Sequence, residues 1–277
     1  MIPAVETFSG TSPVILAFPH TGTWVPDGIV ARRNGEGIKL RDTDWHVHEL
    51  YAGLLPEATT VRATFHRYVI DANRDPSGES LYPGQNTTGL VPLTDFDNAP
   101  IWREGEEPTE VEVAERTARF HRPYHAALEA EIARLRGLHD KIVLYDCHSI
   151  RSVLPRLFAG RLPVFNLGTN DGKAADAGLQ ERVASIMAGT GRSWAVNGRF
   201  KGGWITRHHG RPGEGVHALQ MELSNRGYLR EPEGKGAPEN WPVPYDPDFA
   251  VPMRTVLTRI LETCLEWATE RGQYDYV

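Results

Sequence analysis

The residues best suited to chemistry in this sequence are Asp146 and His148, which close the apolar run Lys141-Ile-Val-Leu-Tyr-Asp-Cys-His-Ser149. A short run rich in Ile, Val, Leu and Tyr, with helical sequence before it, reads as a buried strand of an α/β sheet. Ligands in such sheets bind beyond the carboxyl ends of the strands, which is where these two residues are expected. Alternate side chains of a strand share a face, so Asp146 and His148 should point one way and Cys147 the other. A metal-binding histidine beside a carboxylate is the leading reading. His20 stands in the turn Pro19-His-Thr-Gly22, again after an apolar run, and Asp44 lies in the Asp- and His-rich stretch 40–51. Zinc hydrolases hold the metal by three histidine or carboxylate ligands and leave a fourth position for water. His20, Asp44 and His148 would supply such a set from three separate loops. Hydrogen-bonded structural histidines are the ordinary alternative.

Other sets compete for attention. His121 and His125 lie four apart on an expected helix, a spacing that can chelate but also arises by chance on exposed faces. His48-Glu49 begins like the zincin motif, yet position 52 is alanine and His-Glu-x-x-His fails. Adjacent His208 and His209 read as a loop feature that meets substrate or solvent. Cys147 beside His148 invites a thiol nucleophile, but neighbours on a strand face opposite ways, and a buried structural cysteine is the better account. No Gly-x-Ser-x-Gly elbow is present, and the stretch Gly168-Thr-Asn-Asp-Gly-Lys-Ala174 fails as a phosphate loop.

Glu222 sits in the apolar stretch Ala218-Leu-Gln-Met-Glu-Leu223, where a carboxylate needs a partner. A salt bridge to Arg226 is the plain reading, and a general base for metal-bound water the functional one. Asn73 and Arg74 read either as a structural corner or, beside a metal, as a clamp for a carboxylate, which guanidinium binds bidentately.

The elements that must position these residues alternate strand and helix. Strands are expected over 13–18, 60–64, 67–70, 141–149, 162–167, 193–196 and 216–223. A helix capped by Thr43 or Asp44 should bury Val47, Leu50, Tyr51 and Leu54. Thr109-Glu-Val-Glu112 matches a capping box and opens a helical stretch to about 138 that Pro123 kinks or splits. Further helices are expected over 174–188 and at the end of the chain, with Ile260, Leu261, Cys264 and Trp267 on one side. The Pro-, Gly- and Asn-rich segment 76–102 reads as a long binding loop or lid, and 198–215 as a Gly-rich loop. The pattern predicts an α/β sandwich with a mixed, mostly parallel sheet.

With 277 residues and no linker, repeat or low-complexity tract, the chain is expected to form a single domain over 1–277. A formal net charge of -6 disfavours nucleic acid and anionic membranes as partners, so any anion must be captured by local arginines. Two cysteines are too few for a disulfide framework, the first residues lack a signal pattern, and no run approaches membrane-spanning length. A cytoplasmic location is expected.

Taken together, Pro19-His-Thr-Gly22, Arg41-Asp-Thr-Asp-Trp45, His66-Arg-Tyr-Val-Ile-Asp-Ala-Asn-Arg-Asp-Pro76, Asp146-Cys-His-Ser149, Lys201-Gly-Gly-Trp-Ile-Thr-Arg207 and Gln220-Met-Glu-Leu-Ser224 resemble the N-formylglutamate amidohydrolases, over nearly the whole chain and in order. The resemblance implies a three-layer sandwich like that of the zinc carboxypeptidases and aspartoacylases, whose Asp-x-Asn-Arg substrate element matches Asp71-Ala-Asn-Arg74. It implies zinc, with cobalt or iron also fitting, at His20, Asp44 and His148. Asp44 is preferred to Asp42 because its Asp-Trp-His context matches the related motif better. Carboxypeptidases take this ligand from a glutamate three residues after the first histidine, where this chain has Thr23. Asp146 would orient a metal-binding histidine. Glu222 would be the general base, Arg67 would stabilise the oxyanion, and Asn73, Arg74 and Arg207 would hold substrate carboxylates. The expected reaction is hydrolysis of N-formyl-L-glutamate at the end of a histidine-degradation route. Rival readings are a zinc amidohydrolase for another N-acyl amino acid and a non-catalytic protein that binds acidic metabolites.

Overall fold

The computed structural model describes residues 2–80, 84, 86–232 and 241–270. Among these, the strands are β1 (Val5–Phe8), β2 (Val14–Phe18), β3 (Thr59–Ala63), β4 (Ile142–Ile150), β5 (Phe165–Gly168), β6 (Trp194–Val196) and β7 (Val216–Ser224). They form one mixed sheet in the order β1-β3-β2-β4-β7-β5-β6. The four central strands β3, β2, β4 and β7 are parallel, β1 closes one edge antiparallel, and β5 with β6 runs antiparallel to β7. Helices are α1 (Asp27–Val30), α2 (Gly35–Ile38), α3 (Val47–Tyr51), α4 (Glu110–Arg116), α5 (Arg122–Arg136), α6 (Ala177–Ala188), α7 (Trp204–His209) and α8 (Pro247–Thr269).

The strand alternation builds three layers. Leu16 and Phe18 of β2, Val143, Tyr145 and Cys147 of β4, and Leu219 and Met221 of β7 pack against α3, α6 and α8. Ile15, Ala17, Ile142, Leu144 and Ala218, one residue out of phase, pack against Leu128, Ile132 and Leu135 of α5. A period of two thus sorts the sheet into two apolar faces. The second of these faces becomes polar toward the strand ends, at Asp146, His148, Gln220 and Glu222.

Several elements differ from the sequence expectation. β4 runs on to Ile150, so Asp146 and His148 lie within the strand rather than beyond it. No strand forms over 67–70: the Val69 N–H bonds back to His66 O at 2.8 Å and turns the chain. The cap of α3 is His46, in the left-handed region at φ 62°, and not Thr43 or Asp44. Thr109 and Glu112 do form the capping box of α4. Pro123 has no N–H for the helical ladder, and a π turn over Thr117–His121 precedes it without ending the helical stretch. β1, with Phe8 exposed, was not signalled because an edge strand buries little, and α7 lies within the Gly-rich run.

Candidate active site

Parallel pairing of β4 with β7 sets Asp146 opposite Gln220 and His148 opposite Glu222, all four on one face. The turn after β2 brings in His20, and the Asp44 N–H bonds to His20 O at 3.0 Å, which fastens the loop carrying Asp44 beside it. The irregular segment after β3 supplies Arg67, Asp71, Asn73 and Arg74.

His20 Nδ1 and His148 Nδ1 stand 3.2 Å apart, and Asp44 Oδ2 lies 3.0 Å from the latter and 3.8 Å from the former. On the far side of each ring a carboxylate waits. His20 Nε2 is 2.7 Å from Asp71 Oδ1, and His148 Nε2 is 3.0 Å from both Asp146 Oδ1 and the Asn73 amide nitrogen. With its Nε2 donating to Asp71, His20 offers Nδ1 as a lone pair, which converges with His148 Nδ1 and Asp44 Oδ2 at one buried point. With all three free of protons, they would repel one another unless a cation stood among them. Ligands of a tetrahedral zinc ion at about 2.0–2.1 Å lie roughly 3.3 Å apart, close to the spacing of this trio. The donor set therefore fits a divalent metal. Asp42, the alternative third ligand, is turned away and accepts the Phe96 N–H at 2.9 Å.

The surrounding charges are balanced in burial. Burial works against the ionised Asp71 carboxyl, but Arg67, with His20 and Arg74, holds it well below the usual carboxylate range. Burial likewise opposes Asp44, and the neighbouring His148 and His20 bring it below its ordinary value. His148 is raised against burial by Asp146 and Asp44. Glu222 is different. Burial, with Asp44 and Asp146 near it, outweighs His148 and Arg67 and pushes it up to about 8. Its expected partner, Arg226, is spent on Ser152 and Ser224 (3.0 and 2.6 Å), so the salt-bridge reading fails. Gln220 approaches it at 3.4 Å.

The cleft above these groups is lined by His20, Arg67, Arg74, His148, Arg199, Gln220 and Glu222, with Asn86, Thr87, Thr88 and Phe96 from the long loop. Positions 81–83 and 85 of that loop fall outside the described residues. Arg67 donates to Asp71 at 2.6 Å, while its buried Nε has no hydrogen-bond partner. Asn73 also lines the cleft, but its amide is engaged: Nδ2 donates to Asp146 at 3.1 Å and Oδ1 accepts the Ile205 N–H at 2.8 Å. A Cβ on Gly203 would come within 2.5 Å of that amide, so the glycine is required there. Arg207 is not among the lining residues; its Nε donates to Gly202 O. Arg199, absent from the sequence expectations, takes that place, steadied by Leu157 O and Asn86 O at 2.7 and 2.8 Å. Cys147 lies on the opposite face, and burial raises its thiol well above the ordinary range, which makes it a poor nucleophile.

The sequence model of the N-formylglutamate amidohydrolase family matches residues 12–229. N-formylglutamate deformylase of Pseudomonas putida is 41% identical over 266 residues, covering 95% of this chain and 96% of the relative. The protein of the same name from Pseudomonas aeruginosa is 42% identical over 265 residues, with the same coverage. The crystal structure of N-formylglutamate amidohydrolase from Ralstonia eutropha superposes with a TM-score of 0.76 at 27% identity, over 96% of this chain and 98% of that one.

Proposed function

The chain belongs to the N-formylglutamate amidohydrolase family, and we propose that it hydrolyses the formamide bond of N-formyl-L-glutamate to formate and L-glutamate with a divalent metal at His20, Asp44 and His148. The observation that carries the metal is the convergence of two histidine ring nitrogens and a carboxylate oxygen at one buried point. Two imidazoles and one carboxylate suit zinc, and cobalt and iron fit the same donors. Such an ion supplies Lewis acidity, which lowers the pKa of water and polarises the formyl carbonyl.

The chain's own groups do the rest. Glu222 takes the proton of the attacking water and returns it to the departing amine, a shuttle suited to a buried carboxyl that lines the cleft beside His148. Arg67 stabilises the oxygen of the tetrahedral intermediate, using the Nε–H that has no other partner. Asp71 and Asp146 hold the two histidines in position, and Asn73 anchors Asp146. We assign the grip on the substrate carboxylates to Arg74 and Arg199, because the Asn73 amide is engaged and Arg207 is not part of the cleft lining. We read the reaction as the last step of a histidine-degradation route. We read the chain as one cytoplasmic domain; among the described residues no helix is long and apolar enough to cross a membrane, and Cys147 and Cys264 are unbridged.

The test is formate release from N-formyl-L-glutamate by purified protein, with metal assayed before and after chelation and zinc return. Turnover lost on chelation and restored by zinc supports the reading. Turnover indifferent to stripped metal overturns the ligand assignment. Faster release of acetate or succinate from the matching N-acyl glutamates overturns the formyl specificity.

A further inference from the structure

A second set of metal-type donors lies outside the cleft, where α5 packs against α7. His125 and Glu129 are one turn apart on α5, and His208 and His209 end α7. The rings crowd together, with centroids of His125 and His209 5.2 Å apart and those of His208 and His209 4.8 Å apart.

Hydrogen bonding fixes the protons in this group. His125 Nε2 is 2.8 Å from Ala72 O, and a carbonyl only accepts, so Nε2 carries the proton. Neutral His125 then offers a lone pair at Nδ1, 2.9 Å from His209 Nε2, which must donate. That leaves His209 Nδ1 as a bare lone pair, and it is buried with no partner.

Glu129 and His208 complete the arrangement from the surface. Glu129 Oε1 and His208 Nε2 are 3.6 Å apart, and one ligand atom from each of Glu129, His208 and His209 lies within 4.8 Å of the others. Trp204 stacks on His208 at 4.7 Å and steadies its ring. Arg211, the cation beside this group, is paired with Glu214 at 2.8 Å. Two imidazoles and a carboxylate suit borderline ions and not calcium or magnesium, which prefer oxygen.

We propose that Glu129, His208 and His209 form a second divalent-metal site, for an ion of the Zn2+ or Ni2+ type, that fastens α7 to α5. The first residues of α7 face the cleft: the Gly203 N–H donates to Gln220 Oε1 at 2.7 Å and the Ile205 N–H to Asn73 Oδ1 at 2.8 Å. An ion at the far end of this helix therefore stiffens the support of the cleft without touching it.

The test titrates Ni2+ into the chelator-stripped full chain and counts bound equivalents, in the unaltered protein and in His208→Ala and Glu129→Ala. Both positions are partly exposed, so both variants are expected to fold. The unaltered protein should bind one equivalent more than either variant, and its thermal midpoint should rise further with Ni2+. Equal stoichiometry in all three overturns the proposal. The cleft contributes equally to all three chains and is removed alone by His148→Ala, so failure of the cleft assignment and failure of this one are read separately.

Discussion

Two histidine clusters in this protein use the same side chain for different ends, and what stands behind each ring makes the difference. In the cleft, His20 and His148 have carboxylates at their second nitrogens, Asp71 and Asp146. Between α5 and α7, His125 and His121 have the carbonyls of Ala72 and Arg74, at 2.8 and 2.9 Å. Either partner fixes the tautomer, but a carboxylate also makes the imidazole more basic and stabilises positive charge on it. Burial lowers His125 and His121 despite those carbonyls, whereas Asp146 and Asp44 raise His148 against its burial. The first cluster is built to hold charge, the second to stay neutral. They meet in residues 72–74, where the carbonyls serve the neutral cluster and the Asn73 side chain serves the charged one.

If the charged cluster performs the chemistry, the largest effect belongs to the carboxyl that touches no cation. Glu222→Gln keeps the shape and the metal ligands but removes the proton shuttle. Formate release should fall about 10²- to 10⁴-fold, the usual worth of general acid–base catalysis, with metal content unchanged. Retained turnover would remove Glu222 from the mechanism. Asp146→Asn tests the backing itself. Loss of a carboxylate behind a ligating histidine costs roughly 10- to 100-fold in metal affinity, which competition with a chromogenic chelator would measure. An unchanged affinity would show that the two kinds of backing are equivalent.

How much of this was legible in the sequence depends on range. The alternation in 141–149 put Asp146 and His148 on one face, because a strand's period is local information, whereas the place of Glu222 beside them depends on the pairing of β4 with β7. Asp71 was legible only as part of a motif, since its contacts to His20 and Arg67 depend on the turn that replaced the expected strand over 67–70. The placing of Arg207 away from the cleft lining has a related reason. The helix α7 hidden in a Gly-rich run is set by contacts of Gly203 and Ile205 with distant Gln220 and Asn73, and it is Arg199 that lines the cleft. Arg199→Ala should therefore raise KM for N-formyl-L-glutamate about 10-fold or more, in line with roughly 1.5–3 kcal/mol for a hydrogen bond to a charged group. Arg207→Ala should leave KM unchanged, and steady-state kinetics on the two variants would expose the reverse assignment.

The neutral cluster should answer in stability and not in metal held at the cleft. His125→Leu puts an apolar side chain of similar bulk between α5 and α7 but leaves Ala72 O and the His209 Nε2–H without their partner. A buried polar group so orphaned costs about 1–3 kcal/mol, which urea unfolding of the chelator-stripped protein would register as a lower midpoint at unchanged slope. His121→Leu removes one bond, to Arg74 O, where His125→Leu breaks two, so its cost should be the smallest of all, about 1 kcal/mol. Zinc affinity at His20, Asp44 and His148 should be unaltered in both, because their backing comes from Asp71 and Asp146. If His125→Leu instead weakened that zinc as much as Asp146→Asn does, the segment 72–74 would be transmitting strain from one cluster to the other, and the two would have to be treated as one cooperative unit.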